Sequence, residues 1–378
     1  MSAKKEDGNL LRRLGALGQS VWLDYIRRDL IESGGLARLV RDDGVRGVTS
    51  NPSIFEKAIS GSRDYAGLIA DASRQGRSAK AIYEQLAIRD IRDAADVLRT
   101  VHAESGARDG FVSLEVSPVL ANDTEGTVDE ARRLWREVGR GNLMIKVPGT
   151  PAGIPAIRAL IGDGINVNVT LLFSQAAYEQ AAEAYVSGLE ALAGRGGNLG
   201  GVASVASFFV SRIDTAIDAE LERKMAGSAD AGLAGLRGRA AIANAKLAYR
   251  IYRDIVAGDR WRALAAKGAQ PQRLLWASTS TKNPNYRDVI YVEELVGRDT
   301  VNTIPPATLD AFRDHGRVRE SLVEDLDAAR QVFAELQRQG ISFAAVTDRL
   351  LDEGVKLFAD AFEKLLAAVA AEAGSAKA

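Results

Sequence analysis

Ile165-Asn166-Val167-Asn168-Val169-Thr170 alternates apolar and polar side chains, and Gln175–Leu192 just beyond it carries apolar residues at helical spacing. The first pattern is that of a β-strand and the second that of an amphipathic helix. The same unit recurs outward in both directions. Further candidate strands lie at Ser20–Ile26, Gly44–Thr49, Phe111–Ser117, Leu143–Val147, Val202–Phe208, Arg273–Ser278 and Thr300–Ile304. Helical patterns fall between them at Ala79–His102, Thr127–Val138 and Val210–Lys224, and after them at Ala307–Asp314. Strand–helix alternation predicts a parallel sheet covered by helices. Eight repeats of the unit predict the α/β class and a closed (β/α)8 TIM barrel, with an open doubly wound sheet as the competing arrangement.

The rest of the chain decorates that core. Gly238–Ala257 reads as a helical insertion, and Glu320–Gln339 and Phe343–Ala371 as helices after the last strand. The expectation is one domain over 1–378, with additional N- and C-terminal helices and extra helices at 226–260 and 320–372. Ala226–Gly238, rich in Ala and Gly, reads as a mobile connection. Gly194-Arg195-Gly196-Gly197-Asn198-Leu199-Gly200-Gly201 precedes a strand and lacks the G-x-G-x-x-G spacing, so it reads as a helix-to-strand turn, not a nucleotide loop. It is expected at the end of the barrel opposite any active site.

Composition narrows the chemistry. Hydrophobic residues make up 46% of the chain and charged residues 26%, enough for a real core. A net charge of -1 without one-signed blocks argues against nucleic-acid or membrane-surface partners. There is no cysteine, which excludes disulfides and thiolate chemistry, and His102 and His315 are the only histidines, too few for a histidine-built zinc site. No metal or other cofactor is expected. The N-terminus has no secretory h-region and no stretch reaches a membrane span, so a cytoplasmic location is expected.

Polar residues gather at the predicted C-terminal strand ends: Asp24, then Thr49, Ser50 and Asn51, then Glu115, Lys146, Asn166, Asn168, Thr170, Ser204, Ser207 and Ser278. In a barrel such ends share one mouth, where catalysis sits. Lys146 is the one charge in the apolar run Leu143-Met144-Ile145-Lys146-Val147-Pro148. Buried, such a lysine is either paired or held near neutrality, and a neutral amine condenses with a carbonyl to form a Schiff base. Glu115 is a candidate acid/base for the water steps and Asp24 a candidate base for a sugar hydroxyl. A purely structural ion pair among the three competes with that reading. Arg212, at the start of a helix, and the Ser278–Lys282 segment supply cations and hydroxyls suited to phosphate. His102 and His315, at helix ends, and Trp22 and Trp276, inside strands, read as structural. A glycosidase built on Asp24 and Glu115 leaves Lys146 without a role and lacks aromatic sugar platforms. A non-catalytic sugar-phosphate-binding barrel is the third reading.

The segments Gly47-Val48-Thr49-Ser50-Asn51-Pro52-Ser53, Leu143 to Pro148, Ile165 to Ser174, Ser207 to Arg212 and Asn302-Thr303-Ile304-Pro305-Pro306 closely resemble the transaldolases, above all the longer bacterial ones. The similarity runs from about Trp22 to His315. It implies a class I aldolase-type barrel that moves a dihydroxyacetone unit from sedoheptulose 7-phosphate to glyceraldehyde 3-phosphate in the non-oxidative pentose phosphate pathway. It implies Lys146 as the Schiff-base residue, Asp24 as acid/base, Glu115 acting through a water, and Thr170 positioning that water. Asn51 and Asn168 match donors to the dihydroxyacetone unit, Ser207 a substrate contact, and Arg212 and Ser278 the phosphate site. Phe209 stands where fructose-6-phosphate aldolases carry tyrosine, which favours transfer over cleavage. One departure is Ser278-Thr279-Ser280, where many members have Ser-x-Arg; Lys282 is the nearest replacement charge. Sugar phosphates are the implied partners, with the protein a monomer or homodimer.

Overall fold

The computed structural model describes residues 8–226 and 231–375. Strands β1 (Gln19–Leu23), β2 (Gly47–Val48), β3 (Phe111–Glu115), β4 (Leu143–Pro148), β5 (Val167–Leu172), β6 (Ser204–Phe209), β7 (Arg273–Ala277) and β8 (Thr300–Ile304) pair in sequence order, all parallel. β8 closes on β1, from Gln19 opposite Thr300 to Leu23 opposite Ile304. That closure removes the open-sheet alternative. Main helices are α1 (Leu10–Ala16), α2 (Pro52–Ser60), α3 (Ala79–Glu104), α4 (Thr124–Val138), α5 (Gly153–Gly162), α6 (Gln175–Gly194), α7 (Ser211–Met225), α8 (Ala240–Ala257), α9 (Pro306–His315), α10 (Leu326–Arg338) and α11 (Phe343–Ser375). Several start where a side-chain oxygen takes an orphan amide: Asn51 for α2, Ser78 for α3, Asp123 for α4 and Ser174 for α6. Among the described residues, no helix is long and apolar enough to cross a membrane.

The departures from the sequence reading have local causes. The second strand is only Gly47–Val48, because the chain turns through Gly44 in the left-handed region just before it. Helix α5 has no counterpart among the expected elements. Its first turn holds Gly153 and Pro155, which read as breakers but are tolerated at a helix start. The helix expected from Glu320 begins only at Leu326. The residues before it are tied to the barrel by Leu322 N–H to Val296 O (3.0 Å) and Ser321 Oγ to Glu293 O (2.7 Å), and Asp325 turns left-handed. Of the Ala226–Gly238 connection, residues 227–230 lie outside the described residues. Ala231–Ala234 is a helical turn, and the Gly238 amide donates to Asp218 Oδ1 at 3.0 Å. The Gly194–Gly201 turn does lead into the N-terminal end of β6.

The floor of the barrel is polar and largely hydrogen-bonded within itself, although Gln19 Oε1, at the start of β1, and Gln272 Oε1, just before β7, have no partner among the described residues. Arg273 pairs with Asp109 at 2.9 Å, both deeply buried, and Ser20 Oγ and Trp22 Nε1 donate to the same carboxylate. Two residues expected at the mouth belong here. Asn166 precedes β5 and donates to Gly141 O and Leu143 O, both at 2.9 Å, and Ser204 opens β6 and donates to Val167 O at 2.7 Å. A period of two identifies the face of a strand but not its end. His102 Nδ1 donates to Asp109 O (3.0 Å) and its ring packs edge-on against Phe111, a structural role, and His315 bridges Asp288 and Asp314 at the end of α9. Trp22 and Trp276 are fully buried.

Helices α7 and α8 are locked together by buried acids. Asp214 accepts from the Ala241 amide and the Tyr291 hydroxyl, both at 2.8 Å. Burial pushes the Asp214 carboxyl up to about 7, against an ordinary value of 3.8, despite the hydrogen bonds that pull it down. A carboxyl raised in the folded state binds more protons there than in the unfolded chain. Stability therefore falls as pH rises from about 4 to about 7 and is level above that. Urea titrations across this range should show that slope, and it should flatten in Asp214→Asn. A second test concerns Gly47: a Cβ there would lie 2.4 Å from the Trp22 indole. Gly47→Ala should destabilise the protein by about 1–3 kcal/mol through overpacking, seen as a lower urea midpoint.

Candidate active site

β3 and β4 pair with Glu115 directly opposite Lys146, so their side chains leave the sheet side by side on the inner face. Lys146 Nζ lies 3.2 Å from Glu115 Oε2 and donates to Ser50 O at 3.2 Å. The Lys146 side chain is 7% exposed and that of Glu115 6%. Burial raises the Glu115 pKa above the usual carboxylate value; the charge and hydrogen bond of Lys146 offset part of this, and nearby Asp24 adds to it.

Asp24 follows β1 directly and is half-buried. Thr49, just past β2, donates its hydroxyl to Asp24 Oδ1 at 2.7 Å and shares a 2.6 Å contact with the Thr303 hydroxyl of β8. Burial raises the Asp24 pKa, and the Thr49 hydrogen bond and the charges of Lys146 and Lys282 pull it back. Lys146 thus sits in reach of the fields of two carboxyls that burial disposes to hold protons.

The inner layer continues around the barrel. Asn168 Nδ2 donates to Ser113 Oγ at 3.0 Å, and Ser207 Oγ donates to Asn168 Oδ1 at 2.7 Å, linking β3, β5 and β6. Thr170 is fully buried and its Oγ1 has no hydrogen-bond partner among the described residues. It lies where the β5–β6 register shifts, next to Leu171 with φ +60°. Asn51 caps α2: its side-chain oxygen accepts the Ile54 amide at 3.0 Å, a bond that holds its carboxamide at the strand end.

A cationic cluster occupies the mouth near β6 and β7. The Arg212 guanidinium sits 5.6 Å from the Phe209 ring centroid, and Phe209 packs at 5.1 Å on Phe173. Ser278 adopts φ +57° and its hydroxyl meets that of Ser211 at 3.0 Å, at the start of α7. Lys282 Nζ donates to Ser280 Oγ at 2.7 Å. Loss of hydration lowers the Lys282 pKa first, and repulsion from Arg212 and Lys57 lowers it further. Desolvation also lowers that of Arg212, opposed by Glu353. Three cations crowded together with two hydroxyls and a helix start make a setting for a multiply charged anion. Among the described residues no group of His, Cys, Asp and Glu is placed to hold a metal ion.

The structure thus brings Asp24, Glu115, Lys146, Asn168, Thr170 and Ser207 into the barrel mouth, with Asn51, Phe209, Arg212, Ser278 and Lys282 around its rim. Four contributors escaped the sequence reading. Ser113 shares a face with Glu115 two residues on, a signal that was there to be read. Thr303 lies in the candidate strand Thr300–Ile304 but was not among the polar residues picked out at strand ends. Lys57 is a helix-surface lysine by pattern. Phe358, on α11, lies with its ring 5.4 Å from Lys146 Nζ. The final helix thus covers the mouth, and nothing in an amphipathic repeat marks one of its apolar residues for that place.

Comparison with known proteins agrees with this geometry. A family model described as Transaldolase/Fructose-6-phosphate aldolase matches residues 21–369. A transaldolase of Trichodesmium erythraeum (strain IMS101) is 48% identical over 364 residues, covering 95% of this chain and 96% of that protein. One of Thiobacillus denitrificans is 50% identical over 361 residues, 96% of this chain and 99% of the other. Transaldolase 1 of Streptomyces coelicolor is 51% identical over 360 residues, 95% and 93% of the two chains. With a match spanning the barrel from β1 through most of α11, this chain belongs to the transaldolase/fructose-6-phosphate aldolase family.

Proposed function

We infer that this enzyme is a transaldolase, moving a dihydroxyacetone unit from sedoheptulose 7-phosphate to glyceraldehyde 3-phosphate to give erythrose 4-phosphate and fructose 6-phosphate. The observation that carries the reading is the buried contact of Lys146 with Glu115, inside a mouth that also holds Asp24 and three cations. The same reading assigns the protein to the cytoplasm and the non-oxidative pentose phosphate pathway, with sugar phosphates as its partners.

The reaction follows from proton positions. A proton passing from the Lys146 ammonium to Glu115 across their 3.2 Å hydrogen bond leaves a neutral amine and a carboxylic acid. The amine attacks the ketone carbon, giving a carbinolamine. Glu115, through a water steadied by Thr170, returns the proton to the departing hydroxyl, and water leaves as the protonated imine forms. Asp24, held by Thr49, takes the proton of the C4 hydroxyl, and the C3–C4 bond breaks with its electrons drawn toward the iminium nitrogen. The enamine left on Lys146 adds to the acceptor aldehyde, and the steps run in reverse. Asn168, Ser207 and Asn51 orient the three-carbon unit, and Arg212, Ser278 and Lys282 hold phosphate at the rim. With Phe209 against Phe173, the site presents hydrocarbon beside the enamine. That favours capture by the aldehyde over protonation and release, the other activity named for the family.

Borohydride reduction in the presence of fructose 6-phosphate should add a reduced three-carbon adduct to the Lys146 peptide. Lys146→Ala should fold, give no adduct and lose transfer activity; an unmodified Lys146 in the turning-over wild type removes the reading. Thr49→Val deletes the hydrogen bond that favours the charged form of Asp24, so the Asp24 pKa rises. The acid limb of the kcat/KM profile should then move to higher pH while the alkaline limb stays in place.

A further inference from the structure

Beside Glu115, beyond the end of β3, lies a small cavity bounded by α3, α4 and α11. Its walls include Tyr83, Leu114, Glu115, Ser117, Glu130 and Phe362, and its volume for water centres is about 20 Å³. A single water needs roughly 10–15 Å³ by the same measure. The cavity is polar where it matters. Ser117 is 5% exposed and its Oγ has no hydrogen-bond partner among the described residues. Leaving such a group unsatisfied is costly, and a water in the cavity is placed to supply the bond. Tyr83 is held edge-on between Phe55 (5.7 Å) and Phe362 (5.5 Å), and the Glu115 charge, after burial, raises its pKa.

From this cavity a polar path leads outward. The Ser117 amide donates to Glu130 Oε1 at 2.6 Å, and Lys80 Nζ donates to Glu130 Oε2 at 2.8 Å. Side-chain exposure rises along it, from 6% at Glu115 to 11% at Glu130 and 43% at Lys80. The opposite route, through the mouth, is covered by Phe358 and taken by the substrate itself.

We propose that this cavity is a water site and, with Ser117, Glu130 and Lys80, a side passage through which the water released on imine formation leaves and the water of hydrolysis returns. Tyr83 and Ser117 are positioning residues that hold that water against Glu115. The proposal rests on the Schiff-base reading. Dehydration of the carbinolamine takes one proton from the Glu115 carboxylic acid, breaks the C–O bond and yields the iminium, one water and the Glu115 carboxylate. Hydrolysis reverses each of these. With sugar phosphate filling the mouth, that water departs past Glu115.

The ketone oxygen reports on this traffic. Fructose 6-phosphate labelled with ¹⁸O at C2 is incubated with enzyme and radiolabelled glyceraldehyde 3-phosphate. Label exchange between the two counts carbon–carbon cleavages, and mass spectrometry counts oxygen lost to solvent, with the enzyme-free loss subtracted. In the wild type about one oxygen should be lost per exchange event. Ser117→Val fills the water site, and the returning water should then be the one released: ¹⁸O is retained in turned-over sugar, and kcat falls by roughly tenfold, less than the roughly 10²–10⁴-fold of losing an acid–base group itself. Tyr83→Phe keeps the shape of the wall and should lower kcat with KM unchanged. If Ser117→Val does not fold, Ala87→Val, at a further wall residue on α3, narrows the same cavity. Oxygen loss per exchange equal to the wild type in a folded cavity-filling variant, together with an unchanged kcat in Tyr83→Phe, overturns the passage. Borohydride trapping at Lys146 in the same samples separates the two ideas: absence of an adduct in the wild type refutes the imine reading on which the passage rests, whereas an adduct alongside wild-type oxygen loss in the cavity-filled variant refutes the passage alone.

Discussion

An ammonium and a carboxylate taken out of water together, Lys146 and Glu115, are the constraint around which this molecule is arranged. Each alone in the barrel interior would carry a desolvation cost of several kcal/mol, and only close pairing and further hydrogen bonds repay it. The parallel register of β3 and β4 supplies the closeness, and Ser50 O supplies one of the bonds. The register in turn depends on closure of the barrel, because the strands lean on neighbours on both sides. The outcome is a close pair under opposed pulls: burial raises the carboxyl's proton affinity while the lysine's charge opposes it.

Polar groups occupy both ends of the barrel but to different effect. At the floor, Asp109, Arg273, Ser20 and Trp22 satisfy one another, and Asn166 and Ser204 tie strand starts to neighbouring backbone. At the mouth, Thr170 Oγ1 is left without a partner among the described residues, and Lys282 is repelled by Arg212 and Lys57. Unpartnered groups occur at the floor too, at Gln19 and Gln272, so it is the crowding of like charges at the rim, relieved by an anion, that sets the mouth apart.

The helix that follows the barrel joins its stability to its function. At 33 residues, α11 is about 50 Å long at 1.5 Å per residue, long enough to cross the whole mouth. Gly354 lets it approach the kinked end of β5, where a Cβ would stand 3.0 Å from Leu171. It brings Glu353 near Arg212, Phe358 over Lys146, and Phe362 against Tyr83. The final helix thus lines the candidate site, setting Phe358 over the lysine and Phe362 in the wall of the small cavity.

The identity of most strands and helices, their order, and the kinds of polar residue that meet at the mouth, Asp24, Glu115, Lys146 and Arg212 among them, were legible in the chain, because periodicity and residue type are local properties. So was the side of β5 to which Asn168 belongs, since alternation is a matter of neighbours. Which end of a strand a polar residue occupies was not: Asn166 and Ser204 looked like mouth residues and proved to be floor residues. Helix α5 was hidden by a glycine and a proline that a first turn tolerates. Closure of β8 on β1, the facing of Glu115 and Lys146, the capping of α8 by Asp214 on α7, and the placing of Phe358 over the lysine were decided only by the tertiary structure. Each joins residues far apart in sequence, and such contacts are selected by packing and desolvation across the whole fold, which no local pattern encodes.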